Sequence, residues 1–229
     1  GEKKMIQAIA FDLDDTLLDT SRLLLGAAAL HACEAMVAKG LPCTVEQCLD
    51  WRAELAANLS HKEVFPEIAR RTSAPDHAAI GAAGVQTFYN APIPPRLPLM
   101  DDAEDVLART EKKYSLYLVT SGAPDTQWEK IRATGIEKRF KGIFVVDKMK
   151  NAHKKTAFLE ILRKENIPAE KLLSVGNRLA EEIRLAKQLG AWTCHFEYGE
   201  HAGEQKFFPE DHPDFTVHSW REFLATCRL

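Results

Sequence analysis

The sequence predicts an α/β protein: a doubly wound, Rossmann-like parallel sheet with an all-helical cap domain inserted after the first strand. Three observations carry this expectation. From about residue 96 onward, short apolar runs alternate with helical segments, and strands joined by helical crossovers build a parallel sheet. One isolated apolar run, Ile6 to Phe11, precedes all of these and breaks abruptly into Asp12-Leu13-Asp14-Asp15-Thr16. Between the two lies a stretch, Arg22 to about Asn90, whose periodicity is purely helical. The expected domains are a core of residues 1–20 and 96–229 and a helical cap of residues 21–95.

Each element follows from local chemistry. Ile6 to Phe11 reads as a buried strand that ends at a polar site. In the helical stretch, Leu23, Leu24, Leu25, Ala28, Leu30, Met36 and Val37 sit among good helix formers. Thr44 with Gln47, and Ser73 with Asp76, have the spacing of capping boxes, so helices are expected to begin there. Four prolines in residues 91–98 fix φ and remove donors, which suits a linker back to the core. Beyond it the expected order is helix 101–113, strand 115–120, helix 124–134, strand 143–146, helix 156–166, strand 171–175 and helix 180–189. Gly190 is a suitable left-handed terminator of that last helix, and strands 192–196 and 215–217 and a final helix follow.

Composition narrows the function. Of 229 residues 45% are hydrophobic and 28% charged, an ordinary globular balance. The formal charge of −3, from 30 Lys+Arg and 33 Asp+Glu, provides no cationic field for a nucleic acid. No apolar run approaches the roughly 20 residues that span a bilayer, and the start lacks the apolar region of a signal peptide, so a cytoplasmic protein without membrane attachment is expected. Five cysteines without a CxxC pair argue against a disulfide framework or a zinc site.

In a doubly wound sheet, ligands bind beyond the carboxyl ends of the strands. Collecting the polar residues that follow each apolar run brings together Asp12, Asp14 and Thr16; Thr120, Ser121 and Gly122; the lysine-rich loop 148–155; and Gly176 with Asn177. A carboxylate pair, a hydroxyl, a lysine and an oxygen ligand suit phosphoryl transfer through an aspartyl intermediate. One carboxylate attacks phosphorus, and a second, two residues on, passes a proton to the leaving oxygen. A hard divalent cation with oxygen ligands, Mg²⁺, must offset the charge of nucleophile and phosphate together.

These residues carry a resemblance. Phe11-Asp12-Leu13-Asp14-Asp15-Thr16-Leu17 is similar to the first motif of the haloacid dehalogenase superfamily. Leu118-Val119-Thr120-Ser121-Gly122 resembles its second, a basic residue of His153-Lys154-Lys155 its third, and Ser174-Val175-Gly176-Asn177 with Glu182 its fourth. The resemblance implies Asp12 as nucleophile and metal ligand, and Asp14 as general acid/base and metal contact through its backbone carbonyl. Thr120, with Ser121 and Gly122, would bind phosphate, Lys154, which helix position favours, or else Lys155 would be the catalytic lysine, and Asn177 would be a metal ligand. The inserted helices resemble the C1-type cap of the family, which closes over the site and selects the substrate. Position 177 departs from the pattern, since the family usually has Asp there and often a second Asp where this chain has Glu182. An Asn carbonyl is a neutral hard ligand, and Glu181 or Glu182 could return charge through a bound water.

The function expected is a Mg²⁺-dependent phosphatase acting on a small phosphorylated metabolite. Two rivals stay open: a dehalogenase of the same fold, which needs no acid two residues after the nucleophile, and a phosphate-ligand sensor that lost turnover through Asn177.

Overall fold

The computed structural model describes residues 5–229, so the first four residues of the expected core lie outside the described residues. The chain divides into two compact units, one made of residues up to Asp19 together with Pro94–Leu229, the other of Thr20–Ile93.

The first unit is a doubly wound α/β fold. Its strands are β1 (Ala8–Phe11), β2 (Ser115–Gly122), β3 (Gly142–Asp147), β4 (Leu172–Gly176), β5 (Trp192–Phe196) and β6 (Phe215–Val217), ordered β3-β2-β1-β4-β5-β6 with every neighbouring pair parallel. All four residues of β1 are buried. A strand covered on both faces reads as a continuous apolar run, which is why Ile6 to Phe11 shows no alternation. On one face Ala8 and Ala10 pack with Tyr117, Val119, Phe158 and Ile161. Elsewhere Phe11, Phe196, Trp220 and Phe223 form an aromatic cluster, with Trp220 ring centroids 5.7 Å from Phe11 and 4.9 Å from Phe196. The indole N–H of Trp220 donates to the Thr16 carbonyl at 2.8 Å, so this cluster ties down the loop that follows β1.

The second unit holds five helices: α1 (Thr20–Leu23), α2 (Leu25–Ala38), α3 (Val45–Leu55), α4 (His61–Arg71) and α5 (His77–Tyr89). Its interior is built on Ala32, Met36, Val64, Phe65, Ile68 and Ile80. Thr44 opens α3 as expected: its hydroxyl accepts from the Gln47 N–H at 3.1 Å, and the Gln47 side chain accepts from the Thr44 N–H at 3.0 Å. The expectation for Ser73 with Asp76 is corrected. Ser73 takes a left-handed φ of 56° just after α4, and Asp76, which precedes α5, makes no side-chain cap. The second such pair is instead Ser60 with Glu63, where the carboxylate accepts from the Ser60 N–H at 3.0 Å.

The crossover helices are α6 (Ala103–Thr110), α7 (Pro124–Thr134), α8 (Lys154–Glu165), α9 (Arg184–Leu189) and the terminal α10 (Phe223–Cys227). Two differ from expectation. His153 is extended, so α8 begins at Lys154, not at Thr156. The helix expected from Ala180 is a π-turn over Leu179–Ile183 before α9 begins. Among the described residues, no helix is long and apolar enough to cross a membrane.

Candidate active site

The site is built where β1 ends. The Asp12 N–H donates to the Val175 carbonyl at 2.9 Å, which continues the β1–β4 ladder and fixes Asp12 at the strand terminus. The chain then folds back around Leu13, which is fully buried and whose carbonyl accepts from the N–H groups of Thr16, Leu17 and Leu18 at 3.2, 3.0 and 3.0 Å. Asp15 supplies the left-handed residue of this turn, at φ 55°, a conformation Asp tolerates better than most side chains.

Asp12 is buried among groups drawn from the β4 side. Lys154, the first residue of α8, donates to Asp12 Oδ1 at 2.8 Å and also to Glu182. Thr16 Oγ1 donates to Asp12 Oδ2 at 3.2 Å. Glu182 projects from the π-turn, its other carboxylate oxygen accepting from the Arg178 N–H at 2.9 Å. Gly176 leaves room here, because a Cβ at that position would collide with the Glu182 side chain. Burial and the charge of Glu182 raise the Asp12 carboxyl to about 7, against the opposing pull of Lys154. Burial disfavours the charge of Lys154, but Asp12 and Glu182 outweigh it and hold the amine above the ordinary lysine range. Lys155 is not brought to the cluster. Successive helix residues point about 100° apart, so once Lys154 faces Asp12 its neighbour turns away.

Asp14 sits on the opposite flank, its side chain 29% exposed. Lys130 of α7 donates to Oδ1 at 2.9 Å and Gln127 to Oδ2 at 2.9 Å. Gln127 also donates to Thr120 Oγ1 at 2.7 Å, which leaves the fully buried Thr120 hydroxyl hydrogen for another acceptor. Gly122 makes this link possible: a Cβ there would lie 2.8–2.9 Å from the Gln127 side chain. Ser121 is half-buried beside Thr120 at the end of β2.

Asn177, just past β4, is buried, and one end of its side-chain amide lies 2.7 Å from Asp12 Oδ2 and 3.1 Å from the Asp14 carbonyl oxygen. As the nitrogen, that end donates to both. As the oxygen, it would complete a trio with a carboxylate and a carbonyl. Adjacent ligands of an octahedral cation with bonds of about 2.0–2.1 Å stand about 2.9 Å apart, so these oxygens fit Mg²⁺ in chemistry and spacing. Glu181, which burial would raise, is held below the usual carboxylate range by Lys148 and Lys154. Lys148 donates to it at 3.2 Å.

The structure thus brings together Asp12, Asp14, Thr120, Lys154 and Asn177, with Ser121 and Gly122 at the end of β2. Three residues outside the sequence-derived site join them. Gln127 and Lys130 stand three apart on α7, the spacing of one helix face directly after the Thr120-Ser121-Gly122 turn. Glu204 accepts from Arg178 Nε at 3.1 Å and from the Leu179 and Ala180 N–H groups at 2.9 and 3.1 Å, bracing the segment behind Asn177. It lies in a loop with no periodicity to mark it.

The family model of haloacid dehalogenase-like hydrolases matches residues 6–190. A glyceraldehyde 3-phosphate phosphatase of Pyrococcus abyssi is 35% identical over 203 residues, spanning 86% of this chain and 83% of that protein. Its counterpart in Pyrococcus furiosus is 32% identical over 206 residues, spanning 87% and 84%. Among solved structures, the HAD-hydrolase YfnB of Bacillus subtilis bound to magnesium shares the fold, with a TM-score of 0.63 at 24% identity over 97% of this chain and 98% of that one. With three of its motifs at the ends of β1, β2 and β4, the remaining one at the start of α8, and a family match spanning most of its length, the chain belongs to the haloacid dehalogenase-like hydrolases.

Proposed function

We propose that this chain is a Mg²⁺-dependent phosphatase that hydrolyses a small phosphomonoester, a three-carbon sugar phosphate such as glyceraldehyde 3-phosphate, through a phospho-Asp12 intermediate. The observation that carries the reading is the division of two carboxylates at one strand end: Asp12 buried on Lys154, Asp14 half-exposed on Lys130 and Gln127. The relatives named for glyceraldehyde 3-phosphate support the substrate class. The same reading makes residues 21–95 the substrate-selecting cap and 1–20 with 96–229 the catalytic core, placed in the cytoplasm.

The chemistry follows from the residues. An Asp12 oxygen attacks phosphorus, the bond from phosphorus to the ester oxygen breaks, and its electron pair leaves with that oxygen, which takes a proton from Asp14. Asp14, now a carboxylate, accepts a proton from water as the water oxygen attacks phospho-Asp12. Inorganic phosphate departs and the Asp12 carboxylate is restored. Thr120 offers its hydroxyl hydrogen to a phosphate oxygen, with Ser121 and the Gly122 N–H beside it. Lys154 is the fixed cation against the negative charge on Asp12 and phosphate. Asp12, the Asp14 carbonyl and the Asn177 side-chain carbonyl would hold Mg²⁺, which supplies the remaining positive charge and favours the ionised form of Asp12.

Asp14 separates this reading from the dehalogenase rival, because release of halide needs no proton donor at that position. Hydrolysis of glyceraldehyde 3-phosphate, an aryl phosphate and a 2-haloacid, each with Mg²⁺ and with EDTA, tests it. Phosphate release that depends on Mg²⁺ is expected. Halide release would select the dehalogenase, and no turnover of any substrate would select the sensor.

A further inference from the structure

We propose that Asn177 fills one position in two ways: through Oδ1 as a ligand of the cation, and, in the metal-free protein, through Nδ2 as a donor that stands in for the cation. The proposal rests on the Mg²⁺ reading above and deepens it.

The two acceptors that meet the Asn177 amide, Asp12 Oδ2 at 2.7 Å and the Asp14 carbonyl at 3.1 Å, are the same two atoms proposed as cation ligands. Without a cation they form an electronegative pocket beside Asp12 and Glu182, which share Lys154. A primary amide is suited to this pocket because its two ends are nearly isosteric and opposite in polarity. Presenting nitrogen satisfies both acceptors at once. Presenting oxygen makes a neutral ligand. A half-turn about the Cβ–Cγ bond exchanges the two without moving the backbone. That backbone is braced independently, by His195 Nε2 against the Asn177 carbonyl at 3.1 Å and by Glu204 on the following N–H groups.

Ionised aspartate could not do both. Its carboxylate has no hydrogen to offer, so in the metal-free state it would place a third acid against Asp12 Oδ2 and the Asp14 carbonyl. Such a site depends on its metal for integrity. With Asn177 the metal-free site is already hydrogen-bonded, and Mg²⁺ must displace those bonds to enter. Two consequences follow together: weaker metal binding, and a metal-free fold that is stable without the ion.

Thermal unfolding of wild type and Asn177→Asp, in EDTA and in rising MgCl₂, reads both, with Mg²⁺ affinity measured by calorimetry. The wild-type midpoint should rise with MgCl₂ less steeply than that of Asn177→Asp, as its weaker binding requires. Asn177→Asp should melt roughly 3–8 °C lower in EDTA, recover in Mg²⁺ and bind the ion about ten to a hundredfold more tightly. Equal midpoints in EDTA, or a larger Mg²⁺ response in wild type, would overturn the proposal.

A second measurement needs no folded variant in EDTA. The Asn177 side-chain amide protons of the wild type, observed by NMR, should exchange slowly with solvent in EDTA and change shift as Mg²⁺ is added. Rapid exchange in EDTA in a protein that does bind Mg²⁺ would sink the dual role alone. Failure to bind Mg²⁺ at all would sink the metal reading beneath it.

Discussion

The two flanks of β1 treat their carboxylates differently. On the β4 flank Asp12 is buried, shares Lys154 with Glu182, and is braced by Thr16 and Asn177. On the β2 flank Asp14 keeps partial contact with solvent and rests on Lys130 and Gln127, both from one face of α7. Two identical side chains separated by one residue therefore acquire different chemistry from their surroundings. A nucleophile must be held still and dry beside a fixed cation. A proton carrier must reach the leaving group and then water, which suits a wetter position. The difference teaches that the Asp-x-Asp spacing supplies the pair, while the neighbouring helices, α8 and α7, give its two members the different surroundings on which the proposed roles rest.

Substitutions on each flank can break that contrast. Asp12→Asn should abolish turnover with the fold retained, since the amide is nearly isosteric but cannot attack phosphorus. Steady-state assay together with an unchanged circular dichroism spectrum checks this. Asp14→Asn should lower kcat by about 10² to 10⁴, with the larger loss for alkyl esters, whose leaving groups need the proton most. Equal losses for aryl and alkyl phosphates would remove the acid role.

Lys154→Met should cost on the order of 3–5 kcal/mol in denaturant unfolding, because it leaves two carboxylates buried without their shared cation. If unpaired charge is the cause, adding Glu182→Gln should restore part of the loss. The smallest effect is expected from Lys130→Met, which unfastens Asp14 without touching Asp12. It should reduce kcat for alkyl phosphates by roughly tenfold, at the low end for a group that only orients an acid, and leave aryl phosphates nearly unchanged.

Much of this site was legible in the sequence because strand ends announce themselves. Buried parallel strands are continuous apolar runs, so the polar residues after Phe11, Val119 and Val175 mark the site edge directly. Position at the start of a helix favours Lys154 over Lys155 in the sequence, and the phase of the first turn of α8 turns Lys154 to Asp12. Gln127 and Lys130 lay on a recognisable helix, but nothing in the sequence placed them at the site, and their part appears only when the end of β2 is seen beside the loop after β1. Glu204 reaches the site through tertiary contact from an irregular loop. The π-turn at Leu179–Ile183 escapes periodicity because Glu182 folds back to the Arg178 N–H while meeting Lys154. Capping-box spacing proved ambiguous in the same way: Thr44 and Ser60 use it, whereas Ser73 sits in a left-handed turn where it cannot.

The central claim, that Asp12 becomes covalently phosphorylated while Asp14 moves the protons, is tested most directly by trapping. Asp14→Asn mixed with an aryl phosphate in MgCl₂ and quenched in acid within the first turnover should release one equivalent of phenol in a burst. Mass spectrometry should then find phosphate on the peptide containing Asp12, because departure of an aryl group needs little acid help whereas hydrolysis of the intermediate needs the missing base. A linear time course with an unmodified Asp12 peptide, in a variant that still turns over, would contradict it.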